Sequence, residues 1–422
     1  MLAAMRISPR FGSVAGVLLA LWALGAVQAG EAPARLRVAT YNASLNREAP
    51  GELLGHLANG DNAQAKKVAE VLQIVRPDVV LINEFDFDEK GESARRFHDH
   101  YLAVSQRGHA PLNYPYRYAP PVNTGVATNT AGRALHDFDH DGKASYEVPP
   151  AGSPAAAGRV YAGDAYGFGA FPGQYGFVVY SRFPIRTEQT RTFQLFKWRD
   201  MPGAVYPKDW YTPADMEIFR LSSKNHADVP IELAPGTTFH LLASHPTPPS
   251  FDGAEDRNGR RNHDEIRLWA DYLNGADYLR DDAGRGGGLP AGARFVILGD
   301  LNADPVDGDS YAGAILQLLN HPRVNATFEP ASLGGVEQAR LQGGFNAQHK
   351  GNPALDTGDF GDARGPGNLR IDHVLPSKDG WRIAGGAVFW PEAQDPNFAL
   401  VDASDHRLVY LDLEAVPVAA GK

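Results

Sequence analysis

Short apolar runs that each stop on a polar residue organise this chain. Leu36 to Tyr41 stops on Asn42, Val79 to Ile82 on Asn83 and Glu84, His240 to Ser244 on His245, and Phe295 to Gly299 on Asp300, while Asp372 stands within the run Leu369 to Leu375. The first run alternates apolar and polar residues at the two-residue period of a half-covered strand. Val79-Val80-Leu81-Ile82 is apolar throughout, as in a strand covered on both faces. Between them Ala65, Val68, Leu72 and Val75 recur at spacings of three and four behind Asp61 or Asn62, which predicts a capped helix that Pro77 helps to end. Open α/β folds place ligands where strands end in this way.

Further strands are expected at residues 175–181, 217–221, 237–244, 294–298, 369–375 and 408–413. A helix should bury Ile266, Trp269 and Leu273, and another should span 311–319. Residues 108–175 lose all periodicity in Gly, Pro, Ala, Asn and Tyr, as does 281–292; the first is too long for an ordinary connection and reads as a functional loop or a poorly ordered insert in which periodicity places no core, though its tyrosines could shape a pocket or form a private core. No repeat and no linker-like shift in composition divides the chain. The expected fold is an α/β sandwich of two mixed β-sheets flanked by helices, one domain over 30–422.

The N-terminus reads as an export signal. Arg6 and Arg10 precede an apolar run, 14–27, that closes on Val27-Gln28-Ala29, and cleavage is expected after Ala29. The run is shorter than the roughly 20 residues that span a bilayer, so the expected location is periplasmic or secreted. The chain has no cysteine, which excludes disulfides, thiolate metal sites and cysteine nucleophiles, and leaves oxygen and nitrogen to do the chemistry. A formal charge of −10 without a basic stripe argues against indiscriminate binding to nucleic acid.

Any one polar strand end could cap a helix or close a turn. Together they offer more. Glu84, Asp405 and Asn42 carry the hard oxygens that suit Mg²⁺ or Mn²⁺, and His406, beside carboxylates, has the make-up of an oriented general base. The ordered set TYN (40–42), NE (83–84), SHP (244–246), GDLNADP (299–305), RIDHV (370–374) and SDH (404–406) resembles the endonuclease/exonuclease/phosphatase superfamily of deoxyribonucleases, abasic-site endonucleases, sphingomyelinases and inositol-phosphate phosphatases. The likeness runs from Leu36 to Leu413, and GDLN followed by SDH is its most specific pairing.

The resemblance implies roles. Glu84 would bind the divalent ion with Asn42 and Asp405 beside it; Asp300 would orient or deprotonate the attacking water; Asn302 would position the phosphate. His406 would pair with Asp372, and His245 would contact the scissile phosphate and protonate the leaving oxygen. Asn83 stands where the family often has Gln, and Ser244-His245-Pro246 where it often has THL, a form closer to deoxyribonuclease-like members. The implied protein is an exported, metal-dependent phosphoesterase that attacks a phosphodiester or phosphomonoester directly with water, with no stable protein partner. Nucleic acid, lipid headgroups and small phosphate esters are the candidate substrates. A nuclease and a non-catalytic binding module on the same fold are the alternatives.

Three segments have two readings each. In 257–263, Arg260, Arg261 and Asn262 either reach a substrate phosphate or form a solvated helix start. Residues 222–226 line a cleft or form an exposed turn. Asp137-Phe138-Asp139-His140-Asp141-Gly142 repeats the first half of a calcium loop, but Val148 occupies its twelfth position; this is a structural Ca²⁺ site at Asp137, Asp139 and Asp141 or a simple acidic turn.

Overall fold

The computed structural model describes residues 32–128, 136–150, 153 and 155–417; the expected export signal lies outside them. Its strands are β1 (Leu36–Leu45), β2 (Val79–Phe85), β3 (Tyr116–Tyr118), β4 (Phe177–Ser181), β5 (Arg191–Thr192), β6 (His226–Ala234), β7 (Thr237–Ser244), β8 (Phe295–Asp300), β9 (Gly358–Asp359), β10 (Asn368–Leu369), β11 (Asp372–Pro376), β12 (Trp381–Val388) and β13 (Val409–Ala415). One sheet has the order β12-β13-β1-β2-β4-β3 and the other β11-β8-β7-β6-β5, with β9 and β10 a separate hairpin. Each large sheet holds one parallel pair, β1 with β2 and β7 with β8, among antiparallel neighbours. Both sheets are therefore mixed, and the fold is the α/β sandwich expected from sequence.

Alternation along the strands builds the layers. Val79 and Leu81 point into the space between the sheets with Val38, Val179, Leu241 and Leu298, whereas Val80 and Ile82 point outward against Val68 and Leu72 of the helix Ala63–Val75. Asn62 is the residue that caps this helix, accepting from Ala65 N at 2.9 Å. On the opposite outer face the helix Arg257–Leu273 buries Ile266, Trp269 and Leu273 against Leu242 and Ile297. Full burial of each such Leu or Ile stabilises the fold by about 1.5–3 kcal/mol.

Several expectations are corrected. Residues 217–221 are not a strand: Pro213 and a reciprocal Thr212–Asp215 capping box wind Pro213–Met216 into a helical turn, and only Arg220 bridges, to Lys197. The helix expected over 311–319 breaks at Ala312, whose φ is 47°, leaving a helical turn at Leu316–Leu319. The insert 108–175 is not without a core, since Tyr114 is fully buried against Tyr180 and Tyr161 donates to Gly125 O at 2.6 Å. β6, with Pro230 inside it, β12, with Gly385 and Gly386, and the helix Leu333–Gln342 carry patterns that periodicity alone does not find.

Candidate active site

The topology brings the ends of β1, β2, β7 and β8 to one end of the sandwich, and β1 packs across it on β8 and β11. Asp372 lies opposite Asp300 in the β11–β8 register. Local backbone departures then aim the side chains. Pairing of β1 with β2 slips between Asn42 and Leu45, where Ser44 has φ 47°, and Glu84 and Asn302 hold φ of 54° and 51°. Gly299 has no Cβ for a reason: one there would meet Ser244 O at 2.0 Å, so only glycine lets β8 run close enough to β7 to set Asp300 beside His245.

Asp300 Oδ2 is the hub. Asn42 Nδ2 donates to it at 3.0 Å, His245 Nε2 lies 3.3 Å away and His406 Nε2 3.6 Å. Its Oδ1 accepts from Asn302 N at 3.0 Å, and its own N–H donates to Asn83 Oδ1 at 3.2 Å. Behind His406, Nδ1 pairs with Asp372 Oδ2 at 2.9 Å, and Thr357 Oγ1 holds the same carboxylate at 2.8 Å. Ser404 Oγ accepts from His406 N at 3.0 Å and donates to Asn42 O at 2.7 Å, which locks the loop before β13 onto β1.

Burial sharpens these charges. Burial would push Asp300 up, but the charges of His406 and His245 and the hydrogen bonds from His245 and Asn42 hold its carboxyl well below the usual range. Burial pushes Asp372 up to about 6 against the pull of His406. It would by itself lower His406, yet Asp372 and Asp300 raise that imidazole to about 10. His245 is lowered by burial and by the positive charge of Lys224. At neutral pH the cluster therefore holds Asp372⁻, His406⁺, Asp300⁻ and a neutral His245. In this state His406 is a proton donor and charge stabiliser.

Asn42, His245, Asp300, Asn302, Asp372 and His406 are thus assembled in one cluster. Glu84 is half-buried at its edge, and its charge acts on Lys224 and His245. Asp405 is exposed, with Oδ1 accepting from Ser44 Oγ at 3.1 Å. Asp300, Asp372 and His406 present ligand atoms within 4.8 Å of one another, a compact candidate metal set. Thr357 escapes sequence reading because it stands in a loop with no strand-end signal.

The segment 257–263 is a helix start whose Arg261 and Asn262 face inward, neither aimed at a phosphate nor solvated. Arg261 is buried, and its guanidinium donates to three main-chain carbonyls, of Leu221, Tyr166 and Arg220. Asn262 Nδ2 is likewise spent on Thr247 O and Leu301 O, at 2.8 and 3.0 Å. Arg260 reaches Glu255 O, Val205 O and Tyr311 Oη. Inward-facing positions of an amphipathic helix, rather than a substrate, take Arg261 and Asn262. Residues 222–226 are also buried instead of forming an exposed turn. At the acidic turn, Asp137, Asp139 and Asp141 converge within 4.8 Å, yet each accepts from backbone N–H groups of the turn itself.

Residues 39–406 match the Endonuclease/Exonuclease/phosphatase family, and the chain belongs to that family. It is a metal-dependent hydrolase of phosphate esters. Among solved structures it is similar to an endonuclease/exonuclease/phosphatase from Beutenbergia cavernae DSM 12333, at 18% identity, covering 92% of this chain and 74% of that one, with TM-score 0.49. It is also similar to sphingomyelinase C from Streptomyces griseocarneus (16% identity, 90% and 99% covered, TM-score 0.43) and to the human Nocturnin catalytic domain with bound sulfate (12%, 90% and 94%, 0.43). No curated protein sequence matches the chain.

Proposed function

We propose that this protein is an exported phosphoesterase that hydrolyses a phosphodiester or phosphomonoester by direct attack of water. The observation that carries the reading is the convergence of Asn42, His245 and His406 on one carboxylate oxygen of Asp300, with His406 backed by Asp372. Asp300, ionised at neutral pH, is an acceptor for the proton of the attacking water. The protonated His406, held by Asp372, supplies positive charge where negative charge develops in the transition state. His245, neutral and with its Nε2 on Asp300, has no proton to spare for the leaving oxygen, so the protonated His406 is the proton donor of the cluster, while His245 Nδ1 is buried without a partner. Asn302, fixed on Pro246 O at 3.1 Å, would position the phosphate.

The donor set fits a hard divalent ion. Glu84, Asp300, Asp372 and Asp405 outweigh the positive charges of His406 and Lys224, and Asp372 Oδ1 is buried without a partner. Mg²⁺ or Mn²⁺ is the reading this chemistry supports, with Glu84, Asn42 and Asp405 as its holders. Bound, such an ion neutralises charge on the phosphoryl oxygens.

Export rests on the N-terminal signal pattern; among the described residues no helix is long and apolar enough to cross a membrane. The deoxyribonuclease-like SHP sequence favours a nuclease as the second reading. The test is hydrolysis of bis(p-nitrophenyl) phosphate, p-nitrophenyl phosphate, plasmid DNA and sphingomyelin with Mg²⁺, Mn²⁺ or EDTA, beside His406→Ala. Metal-dependent cleavage lost in the variant is expected, and the preferred substrate chooses among nuclease, lipid esterase and phosphatase. Metal binding without turnover on any substrate would favour the binding-module alternative.

A further inference from the structure

Lys224 is 6% exposed, and it leads into β6. Because β6 runs antiparallel to β7 with His226 opposite Ser244, the start of β6 lies at the same end of the sheet as His245. Its neighbours in sequence are spent on the fold. Ser223 N donates to Glu265 at 2.6 Å, Ser222 Oγ pairs with His226 Nδ1 at 2.6 Å, and Asn225 Nδ2 donates to Pro121 O at 2.9 Å. Lys224 differs. Its side chain's one hydrogen bond among the described residues is a 3.5 Å contact from Nζ to Pro246 O, a carbonyl that already accepts from Asn302 Nδ2 at 3.1 Å.

An ammonium carries three donors, and a buried one left so nearly unspent is costly to the fold. Burial pulls the ammonium below its ordinary range, the fields of Glu265, Glu84 and Asp300 oppose that pull, and its charge is felt at His245. Lys224 and Asn302 share one acceptor, so both donors stand on the His245 side of the cleft. Lys224 and Asn302 thus bring phosphate-binding donors to the side of the Asp300 carboxylate where His245 and the Asn302 main chain touch it.

We propose that Lys224 Nζ is a substrate-binding and charge-stabilising group that donates to a non-bridging oxygen of the phosphate undergoing hydrolysis. This rests on the phosphoesterase reading. A phosphoryl group passing to its transition state gathers charge on those oxygens, and a desolvated ammonium answers it without forming or breaking a bond. A lysine kept only to cap the Pro246 carbonyl would be dispensable, because Asn302 already serves that carbonyl.

Lys224→Gln and Lys224→Met are compared with the parent by calorimetric titration with inorganic phosphate in the presence of Mg²⁺, by thermal melting, and by kcat and KM on the parent's best substrate. Expected are a phosphate Kd at least about tenfold higher in both variants, as for loss of a charged hydrogen bond, a kcat/KM lower by at least the same factor, and a melting temperature for the Met variant at or above the parent's. Phosphate affinity and turnover within twofold of the parent in a folded variant would overturn the proposal. So would failure of both variants to fold, which would make the ammonium a structural cation. Absence of metal-dependent hydrolysis in the parent would instead bring down the broader functional reading, and that result is read from the parent alone.

Discussion

The strand-end cluster and the first turns of the helix Arg257–Leu273 are both charged and buried, and only a short loop separates His245 from that helix. They spend their hydrogen bonds differently. In the helix, Arg261 and Asn262 are committed to main-chain carbonyls, so they tie the helix to the loops around it. In the cluster, side chains bond chiefly to one another, and Asp372 Oδ1 and His245 Nδ1 keep capacity in hand. Polar residues become a site where side chains bond one another around a shared carboxylate, and a brace where main-chain carbonyls take their donors.

That contrast can be broken by mutation. Asp300→Ala should lower kcat by about 10²–10³-fold, beyond any loss of stability, and steady-state kinetics that find near-parental turnover in the folded variant would end the assignment of the cluster. Arg261→Ala should do the reverse. Three buried carbonyls lose their donor, so urea unfolding should register a loss of about 3–4 kcal/mol while the folded fraction keeps its kcat. If Arg261→Ala instead raised KM with stability intact, the helix start would be part of the substrate site after all.

The pH dependence of stability sharpens the same comparison. His406 is raised in the folded protein, so its stabilisation is full below its ordinary value of 6.5 and is lost as pH rises towards about 10. Asp300 is depressed, so its contribution holds above 3.8 and fades as pH falls below that. Between pH 7 and 9 the parent should therefore lose about 1–3 kcal/mol in urea titrations, and His406→Ala should show a flatter profile. Equal slopes would mean that His406 is not held as a cation. The smallest effect is expected at the acidic turn, whose carboxylates are already on backbone donors. Millimolar Ca²⁺ should raise the melting temperature by no more than about 1–2 °C, and Asp139→Asn should abolish the shift; a shift that survives would put the ion elsewhere.

Much of this was legible in order along the chain. The runs leading to Asn42, Glu84, His245 and Asp300 are all strands, and β7 and β8 end where the polarity changes, because strands covered on both faces favour apolar side chains until they leave the core; β1 instead continues past Asn42 to Leu45 and β2 past Glu84 to Phe85. The cap at Asn62 and the buried stripe of Ile266, Trp269 and Leu273 follow from local rules that need no tertiary contact. β12 and the broken helix near Ala312 did not, since glycine pairs and a single left-handed residue carry no period.

The sequence by itself determined which residue types end the strands, and so the chemistry available: carboxylates, amides and imidazoles, no thiols. It could not say which of them meet. Asp372 backs His406 because β11 pairs with β8, and Thr357 joins them from a loop. Only the tertiary structure decided that Arg261 turns inward to carbonyls while Lys224 keeps its donors, because hydrogen-bond capacity is used up by neighbours in space and not by neighbours in sequence.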